Sequence, residues 1–160
     1  MARVWVFGDN ISTDYIIPGR YNITSDPKEL RRHIFKYLRP EFAEQVEAGD
    51  VVIGANNFGC GSSREHAAIV IREAGVYLVA KSYGWIFRRN CVNLGVLPLQ
   101  SRDVIEIKDG EDVRVDLNRN ILIDSKGTTY PLMPTPKLVL DIHRAGGLVN
   151  YLNANKTYNI

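Results

Sequence analysis

Residues 50–80 read DVVIGANNFGCGSSREHAAIVIREAGVYLVA, and this stretch decides the fold class. The apolar run at 50–54 predicts a buried strand, a glycine-rich loop follows at 57–63, and apolar residues spaced along 64–74 predict a helix. A second apolar run at 76–80 predicts another strand. Because a strand, a helix and a strand in succession form a βαβ unit, the stretch predicts neighbouring parallel strands.

The segments on either side continue this alternation. A β-rich run at 3–7 predicts a first strand, and the dipeptide at 26–27, an aspartate followed by a proline, marks the start of a helix. The remaining predictions, in chain order, are helices at 28–38 and 40–47, a helix at 83–93 and a strand at 96–99.

The last third of the chain changes character. Short β-rich runs separated by turn signals predict an antiparallel meander, with strands at 104–107, 113–117, 121–123 and 128–130. A final helix is predicted at 136–144, before a pair of glycines. Residues 1–160 are therefore predicted to form a single α/β domain with a mixed, largely parallel sheet and a C-terminal antiparallel β layer.

Composition limits the class of protein. The chain has 160 residues, 45% hydrophobic and 24% charged, which is typical of a globular domain and excludes a disordered chain. The net charge of +2 is not that of a nucleic-acid-binding surface, and no apolar run approaches the ~20 residues that span a bilayer. The N-terminus lacks the long apolar core of a signal peptide. We therefore expect a cytoplasmic protein without a nucleic-acid or membrane partner.

The candidate site lies in residues 59–66, which read GCGSSREH. A glycine-rich turn leads into a predicted helix, whose first turn offers unpaired N–H groups and the positive end of the helix dipole to an anion. Gly59 and Gly61 let the backbone approach a ligand, and Arg64 suits a carboxylate or a phosphate. The loop lacks the lysine of a P-loop and the glycine spacing of a dinucleotide fingerprint, so a small carboxylate is the favoured ligand.

The same loop has a purely structural interpretation. Ser62 and Glu65 have the spacing of a capping box, which predicts Ser62 as the N-cap of the helix. A second polar group at 12–14 follows the first strand and reads as a turn. If the two preceding strands are parallel neighbours, both loops meet at the carboxyl edge of the sheet, where α/β folds bind ligands. Asp14 could then orient a serine or arginine of the other loop.

Other candidates carry weaker signals. Cys60 and His66 could form a thiol nucleophile and its base, but helix geometry argues against this pair because Cys60 precedes the helix. Lys81 stands at a predicted strand end and could face the ligand edge. Cys60 and Cys91 are predicted to be free thiols, and two cysteines cannot hold an iron–sulfur cluster alone. The three histidines lack metal-ligand spacing, so we expect no metal on this chain.

Residues 57–67, NFGCGSSREHA, closely resemble the signature of the swivel domain of the aconitase superfamily. The opening GDNISTD at 8–14 matches too, as do KSY at 81–83 and GVLPL at 95–99. The length resembles that of free-standing small subunits of the 3-isopropylmalate dehydratase family, of which homoaconitase small subunits are near twins. The resemblance implies an aconitase-type swivelling β/β/α domain.

The resemblance also implies an activity. Members of this family are hydro-lyases that remove water from a 2-hydroxy acid and add it back at the neighbouring carbon. In leucine biosynthesis the reaction converts 2-isopropylmalate into 3-isopropylmalate through isopropylmaleate. The substrate is thus a small hydroxy-di- or tricarboxylate. A small subunit works only with a large subunit, which carries the four-iron four-sulfur cluster, and self-association of the small subunit stays open.

The resemblance assigns roles to individual residues. Ser62 matches the family's catalytic base, and Asp14 matches an active-site acid. Ser63 and Arg64 match positions that hold a substrate carboxylate, beside Gly61 in the same loop. Supporting positions in the motifs are His66, Cys60 and Lys81. A serine can act as a base only as an alkoxide, and each unit by which its pKa falls requires ~1.4 kcal/mol of differential stabilisation.

Specificity is predicted to reside in residues 20–26. In aconitases a further substrate arginine follows the loop that matches Asp14, and here Arg20 is the nearest arginine. Tyr21 and Ile23 could accept an apolar group, whereas Arg20 could accept a carboxylate, so isopropylmalate, homoaconitate and dual specificity are all open. Two hypotheses from other classes are a non-catalytic ligand-binding module with the same fold and a hydrolase that uses Cys60.

Overall fold

A computed structural model describes residues 2–103 and 105–155 and contains a seven-stranded mixed sheet. In the order β4-β3-β2-β1-β5-β6-β7, the first four strands are parallel and the remaining pairings are antiparallel. The strands are β1 (Ala2–Val6), β2 (Val51–Ile53), β3 (Tyr77–Ala80), β4 (Pro98–Gln100), β5 (Asp112–Asp116), β6 (Ile121–Asp124) and β7 (Thr129–Pro131).

Short helices connect and cover these strands. They are α1 (Thr13–Ile16), a 3₁₀ turn at Gly19–Tyr21, α2 (Pro27–Arg31), α3 (Phe42–Gln45), α4 (His66–Ala74), α5 (Trp85–Asn93), α6 (Lys137–Arg144) and α7 (Leu148–Asn155). The predicted α/β class, with its parallel strands and C-terminal antiparallel layer, is confirmed. Within the described ranges, no helix has the length and hydrophobicity that crossing a bilayer requires.

The sheet separates two apolar clusters. Successive side chains of a strand point to opposite faces, and neighbouring Val4 and Trp5 of β1 belong to different clusters. The Trp5 cluster packs against α4 and includes Phe35 and Phe58. All three residues of β2 are buried, as expected of a parallel strand covered on both faces. The second site loop therefore leaves from a strand that is covered on both faces.

Two predicted helices in the first third of the chain are shorter than expected. The helix predicted over 28–38 ends at Arg31, because the Phe35 backbone has a φ of 50° and its N–H donates to the Ile16 carbonyl at 2.8 Å, a tertiary bond that replaces helical pairing. The helix predicted at 40–47 is only the single turn of α3.

The C-terminal third also differs in detail. Of the strand predicted at 104–107, residues 105–107 form none, and Val104 lies outside the described residues. Helix α7 was not predicted from sequence, and it follows the two glycines that end α6.

Candidate active site at the carboxyl edge of the sheet

The loops that follow β1 and β2 meet, as expected for the case in which the two preceding strands are parallel neighbours. The two strands are parallel neighbours, so both loops leave at the same edge of the sheet. The Gly59 N–H donates to the Ile11 carbonyl at 2.7 Å, and the Thr13 N–H donates to the Cys60 carbonyl at 2.8 Å. These main-chain hydrogen bonds continue the strand pairing beyond the strands and fix one loop against the other.

Two glycines shape the second loop. Gly59 and Gly61 have φ angles of 75° and 103°, in the left-handed region that favours glycine. A Cβ at Gly59 would overlap the ring of Phe87, so the loop packs directly on α5 there. A Cβ at Gly61 would stand 3.5 Å from Thr13 Oγ1. Gly61 itself is exposed, which leaves its backbone open to a ligand.

The hydroxyl of Ser62 faces the first loop. Its Oγ lies 3.1 Å from Thr13 Oγ1, and the Ser62 N–H donates to the same Thr13 oxygen at 3.1 Å. Thr13 is 3% exposed, whereas Ser62 is half-buried. Sequence reasoning placed Thr13 in the polar group at 12–14 but gave it no role, because only the pairing of β1 with β2 reveals its contact.

The predicted capping role of Ser62 is wrong. Helix α4 begins at His66 with Glu65 in the N-cap position and without a side-chain cap. Ser62 instead lies in the loop, four residues before the helix, where its backbone and hydroxyl are held by Thr13. The first turn of α4 therefore does not include Ser62, and dipole effects fade beyond the terminal turn.

Arg64 and Asp14 converge on the start of the 3₁₀ turn. A Cβ added to Gly19 would stand 2.7 Å from Arg64 Nη1 and 3.4 Å from Asp14 Oδ1. Both charged side chains are exposed, and so is that of Ser63. The first loop, the second loop and residues 19–21 therefore share one edge, which carries a guanidinium, a carboxylate and the Thr13–Ser62 hydroxyl pair.

The segment predicted to set specificity packs its one arginine and one tyrosine against rings from residues 33–37. The Arg20 guanidinium lies 5.1 Å from the centre of the Tyr21 ring and 5.0 Å from that of Tyr37. Tyr21 stacks on His33 with the ring centres 3.8 Å apart. Ile23 is 92% exposed. Arg20 is thus held against two rings, whereas Ile23 projects freely.

Charges around these rings alter two pKa values. Hydrogen bonding with Lys36, aided by the charge of Arg20, holds the pKa of Tyr21 below its usual range. Burial lowers the pKa of His33, and the charges of Lys36, Arg32 and Arg20 act in the same direction. His33 is therefore a neutral ring beneath Tyr21 at neutral pH.

Among the described residues, none of the three supporting candidates forms a side-chain hydrogen bond with the Thr13–Ser62 hydroxyl pair. Cys60 is a half-buried free thiol whose backbone, rather than its sulfur, is bonded to Thr13. His66 opens α4, and its buried Nδ1 has no hydrogen-bond partner among the described residues. Lys81 follows β3. The pKa of Asp9 is lowered mainly by a hydrogen bond from the Asn56 backbone N–H, and the charge of Lys81 adds to this effect. Over residues 2–103 and 105–155, no hydrogen bond joins Lys81 or His66 to Ser62.

In the part of the chain that the structure describes, no group of three His, Cys, Asp or Glu side chains could hold a metal ion. The chemistry that this edge offers is therefore that of hydroxyls, a guanidinium and a carboxylate.

The sheet, with parallel strands flanked by an antiparallel layer, is similar to that of the aconitase class of domains. The Aconitase C-terminal domain family matches residues 43–103. A crystal structure of 3-isopropylmalate dehydratase from Methanocaldococcus jannaschii is 42% identical in sequence, with a TM-score of 0.91 over 97% of this chain and 93% of that one.

Curated relatives identify the family within this class of domains. The chain is 44% identical over 153 residues to 3-isopropylmalate dehydratase small subunit 1 of Archaeoglobus fulgidus, which covers 94% of this chain and 95% of the relative. It is 43% identical over 160 residues to the small subunit 1 of Thermotoga maritima, covering 98% and 96% of the two chains. The chain belongs to the family of 3-isopropylmalate dehydratase small subunits.

Proposed function

We propose that this chain is the small subunit of a 3-isopropylmalate dehydratase, a hydro-lyase that interconverts 2- and 3-isopropylmalate through isopropylmaleate in leucine biosynthesis. The observation that carries the proposal is the convergence of Ser62, Arg64 and Asp14 at one sheet edge, in a chain that matches such subunits along nearly its whole length. We expect an enzyme with this biosynthetic role to act in the cytoplasm.

Ser62 is proposed as the base. Its Oγ, as an alkoxide, takes the proton from a substrate carbon, and the electron pair of that C–H bond forms the double bond of isopropylmaleate. The hydroxyl leaves the neighbouring carbon and takes a proton from solvent to become water. In the rehydration Ser62 delivers its proton to the carbon that lost the hydroxyl, and a water molecule, giving up one proton to solvent, adds its hydroxyl to the carbon that lost the hydrogen, which gives the isomer. The half-buried position of Ser62 at an open edge supports this role, since the hydroxyl is held yet accessible.

Arg64 is proposed to bind a substrate carboxylate. A guanidinium can donate two parallel hydrogen bonds to a carboxylate, and Ser63 and the Gly61 backbone supply further donors in the same loop. The nearness of both Asp14 and Arg64 to Gly19 supports a role for Asp14 in orienting the guanidinium. Binding by these groups fixes the substrate carbon in relation to Ser62 Oγ.

The proposed function requires a large subunit that carries a four-iron four-sulfur cluster. The cluster, when bound to that subunit, supplies a Lewis acid for the leaving hydroxyl. The described residues of this chain offer no ligand set for it, which fits a division of labour between two chains. The exposed site edge of this chain would then face the large subunit, and Trp85, 71% exposed at the start of α5, would lie beside that interface.

The fully projecting Ile23 supports the apolar isopropyl group as the feature that residues 20–26 recognise. A second candidate, homoaconitate or dual specificity, is favoured by Arg20, because its guanidinium lies in the same segment. The two candidates differ in whether the variable group of the substrate is apolar or carries a carboxylate.

The test is reconstitution. The chain is mixed anaerobically with its cognate large subunit and a rebuilt cluster, and absorbance of the unsaturated intermediate is followed with isopropylmalate and with homocitrate. We expect turnover of isopropylmalate. Ser62→Ala should abolish turnover while substrate still binds, whereas Ser125→Ala, an exposed serine in the β6–β7 turn, should be fully active. Full activity of Ser62→Ala would show that Ser62 is not the base. Turnover of homocitrate alone would show that the substrate is homocitrate and not isopropylmalate.

A further inference from the structure

We propose that Thr13 is a positioning residue for the reaction: its buried hydroxyl donates a hydrogen bond to Ser62 Oγ and thereby stabilises the charged form of that oxygen. The inference deepens the proposed function and rests on it, because it requires Ser62 to act as the base. It assigns to Thr13 a chemical role that neither the sequence nor the comparisons assign.

The contact between the two hydroxyls is close and exclusive. Thr13 Oγ1 lies 3.1 Å from Ser62 Oγ, and the Thr13 side chain is 3% exposed. Among the described residues, Thr13 provides the only side chain that is hydrogen bonded to Ser62. Since α4 starts only at His66, an alkoxide at Ser62 depends on donors other than the helix terminus.

The hydrogen atoms at this contact can be assigned. A threonine hydroxyl has one hydrogen and two lone pairs. The Ser62 N–H occupies one lone pair of Thr13 Oγ1 at 3.1 Å. The Thr13 hydrogen then has two acceptors, Ser62 Oγ at 3.1 Å and the Ser62 carbonyl oxygen at 3.4 Å. Once Ser62 Oγ is charged it is the stronger acceptor, so the hydrogen points to it.

The donor is also held in place before the charge develops. The Thr13 N–H donates to the Cys60 carbonyl at 2.8 Å, and the Thr13 carbonyl accepts from the Ile17 N–H at 2.9 Å. A β-branched side chain on a fixed backbone has few rotamers. A donor fixed in this way needs no reorganisation, and removing one such donor from an oxyanion lowers kcat by roughly 10²–10³-fold in known enzymes.

The experiment compares Thr13→Val, Thr13→Ser and Ser62→Ala in the complex reconstituted with the large subunit. Valine keeps the shape and removes the donor, and we expect kcat to fall by roughly 10–100-fold with KM changed by less than about threefold. The rise of kcat with pH should move to higher pH by about one unit for each tenfold loss, since a lost donor raises the pKa of Ser62. Thr13→Ser should restore both.

Controls separate a positioning role from a structural one. Thr129→Val, at an exposed position on β7, should leave kcat and its pH profile unchanged. If the Thr13→Val chain does not assemble with the large subunit, Thr13→Ala is used instead. Alanine also removes the donor but places no methyl group against the Ser62 N–H. A loss of activity without a shift of the pH profile, or without rescue by serine, would overturn the inference, as would activity of Thr13→Val within about twofold of the unaltered chain.

The two proposals fail in different ways. If Ser62→Ala keeps full activity, the base assignment fails, and with it the ground for a role of Thr13. If Ser62→Ala is inactive while Thr13→Val behaves like the unaltered chain, only the inference about Thr13 fails. In the Ser62→Ala background, a further Thr13→Val change should not reduce the residual rate, because the two residues act through one oxygen.

Discussion

Nη1 of Arg64 lies against Gly19, at a place where a methyl group would stand only 2.7 Å from that nitrogen. The φ of Gly19 is not in the left-handed region, so alanine there would be disfavoured by this contact and not by the backbone. The missing side chain of Gly19 thus provides the space in which the guanidinium stands beside Asp14.

Gly19→Ala should therefore displace the guanidinium with little loss of stability, because the end of an arginine side chain moves easily. We expect KM to rise by roughly tenfold, corresponding to ~1.4 kcal/mol of binding, with a smaller effect on kcat. The matched control is Gly8→Ala at the same edge, where an added Cβ meets nothing within 4 Å. Steady-state kinetics of the complex measure both, and an unchanged KM for Gly19→Ala would show that Arg64 does not hold the substrate.

Gly59→Ala should destabilise the chain strongly. A Cβ there combines a left-handed backbone at φ 75° with overlap of the Phe87 ring. Backbone strain of about 1–2 kcal/mol and overpacking of about 1–3 kcal/mol predict a loss of roughly 2–5 kcal/mol. Urea denaturation measures the loss. Gly110→Ala is the control, since φ is 81° there with no atom near the added Cβ, and a loss equal to that of Gly59→Ala would leave no role for the ring contact.

Ile23→Arg should shift substrate preference without affecting the fold. Ile23 is 92% exposed, so a charged residue costs little stability there. If residues 20–26 recognise the variable group of the substrate, the added guanidinium should lower kcat/KM for isopropylmalate by about tenfold and raise it for homocitrate. Val149→Arg, at a 70% exposed position on α7, should change neither ratio. Unchanged preference in both variants would place specificity outside this segment.

Cys60→Ala should retain activity. The thiol lies beside the site, but the interactions that order the loop run through its backbone, and we expect kcat within about threefold of the unaltered chain. Burial raises the pKa of Cys91 well above its usual range, so only Cys60 should react with iodoacetamide in the folded chain. Mass spectrometry identifies the labelled residue. Loss of all activity in Cys60→Ala would revive the thiol-dependent hydrolase hypothesis.

Asp109 should contribute a pH-dependent part of the stability. Two hydrogen bonds from Arg39, at 2.9 and 3.0 Å, and one from the Val6 N–H lower its pKa. A carboxyl group with a lowered folded pKa stabilises the fold above its unfolded value, near 3.9, and this contribution is lost as the pH falls through the folded value.

Asp109→Asn should accordingly reduce stability at pH 7 and flatten the decline below pH ~4. Urea denaturation midpoints, measured at steps of about one pH unit between pH 2 and 7, follow this pH dependence of stability. Asp103→Asn is the control, because that exposed carboxylate has no ion pair among the described residues. Parallel pH curves for Asp109→Asn and the unaltered chain would contradict the prediction.

Local sequence patterns were sufficient where local rules decide the outcome. The succession of apolar runs and amphipathic segments predicted the parallel strands, and the loops at 8–14 and 57–63 were expected to meet if the strands before them were neighbours, as they are. The sequence alone could thus place Ser62, Arg64 and Asp14 on one edge under that single condition.

Features set by tertiary contacts could not be predicted in this way. The left-handed backbone of Phe35 depends on its bond to Ile16, which is distant in sequence. Ser62 has the spacing of a helix cap, but Thr13 competes for its N–H and hydroxyl, so the helix starts later. The space that Gly19 leaves for Arg64 exists only once three loops converge.

The hydrogen bonds between Ile11 and Gly59 and between Thr13 and Cys60 extend the pairing of β1 with β2 into the site, whereas Ile23 stands outside that network. The residues proposed for catalysis and the residues proposed for substrate specificity are thus held by different parts of the fold. Substitutions at 20–26 can accumulate without disturbing the hydroxyl pair, and the scaffold can exchange one hydroxy acid for another while its reaction stays the same. Such independence makes the chain readily evolvable.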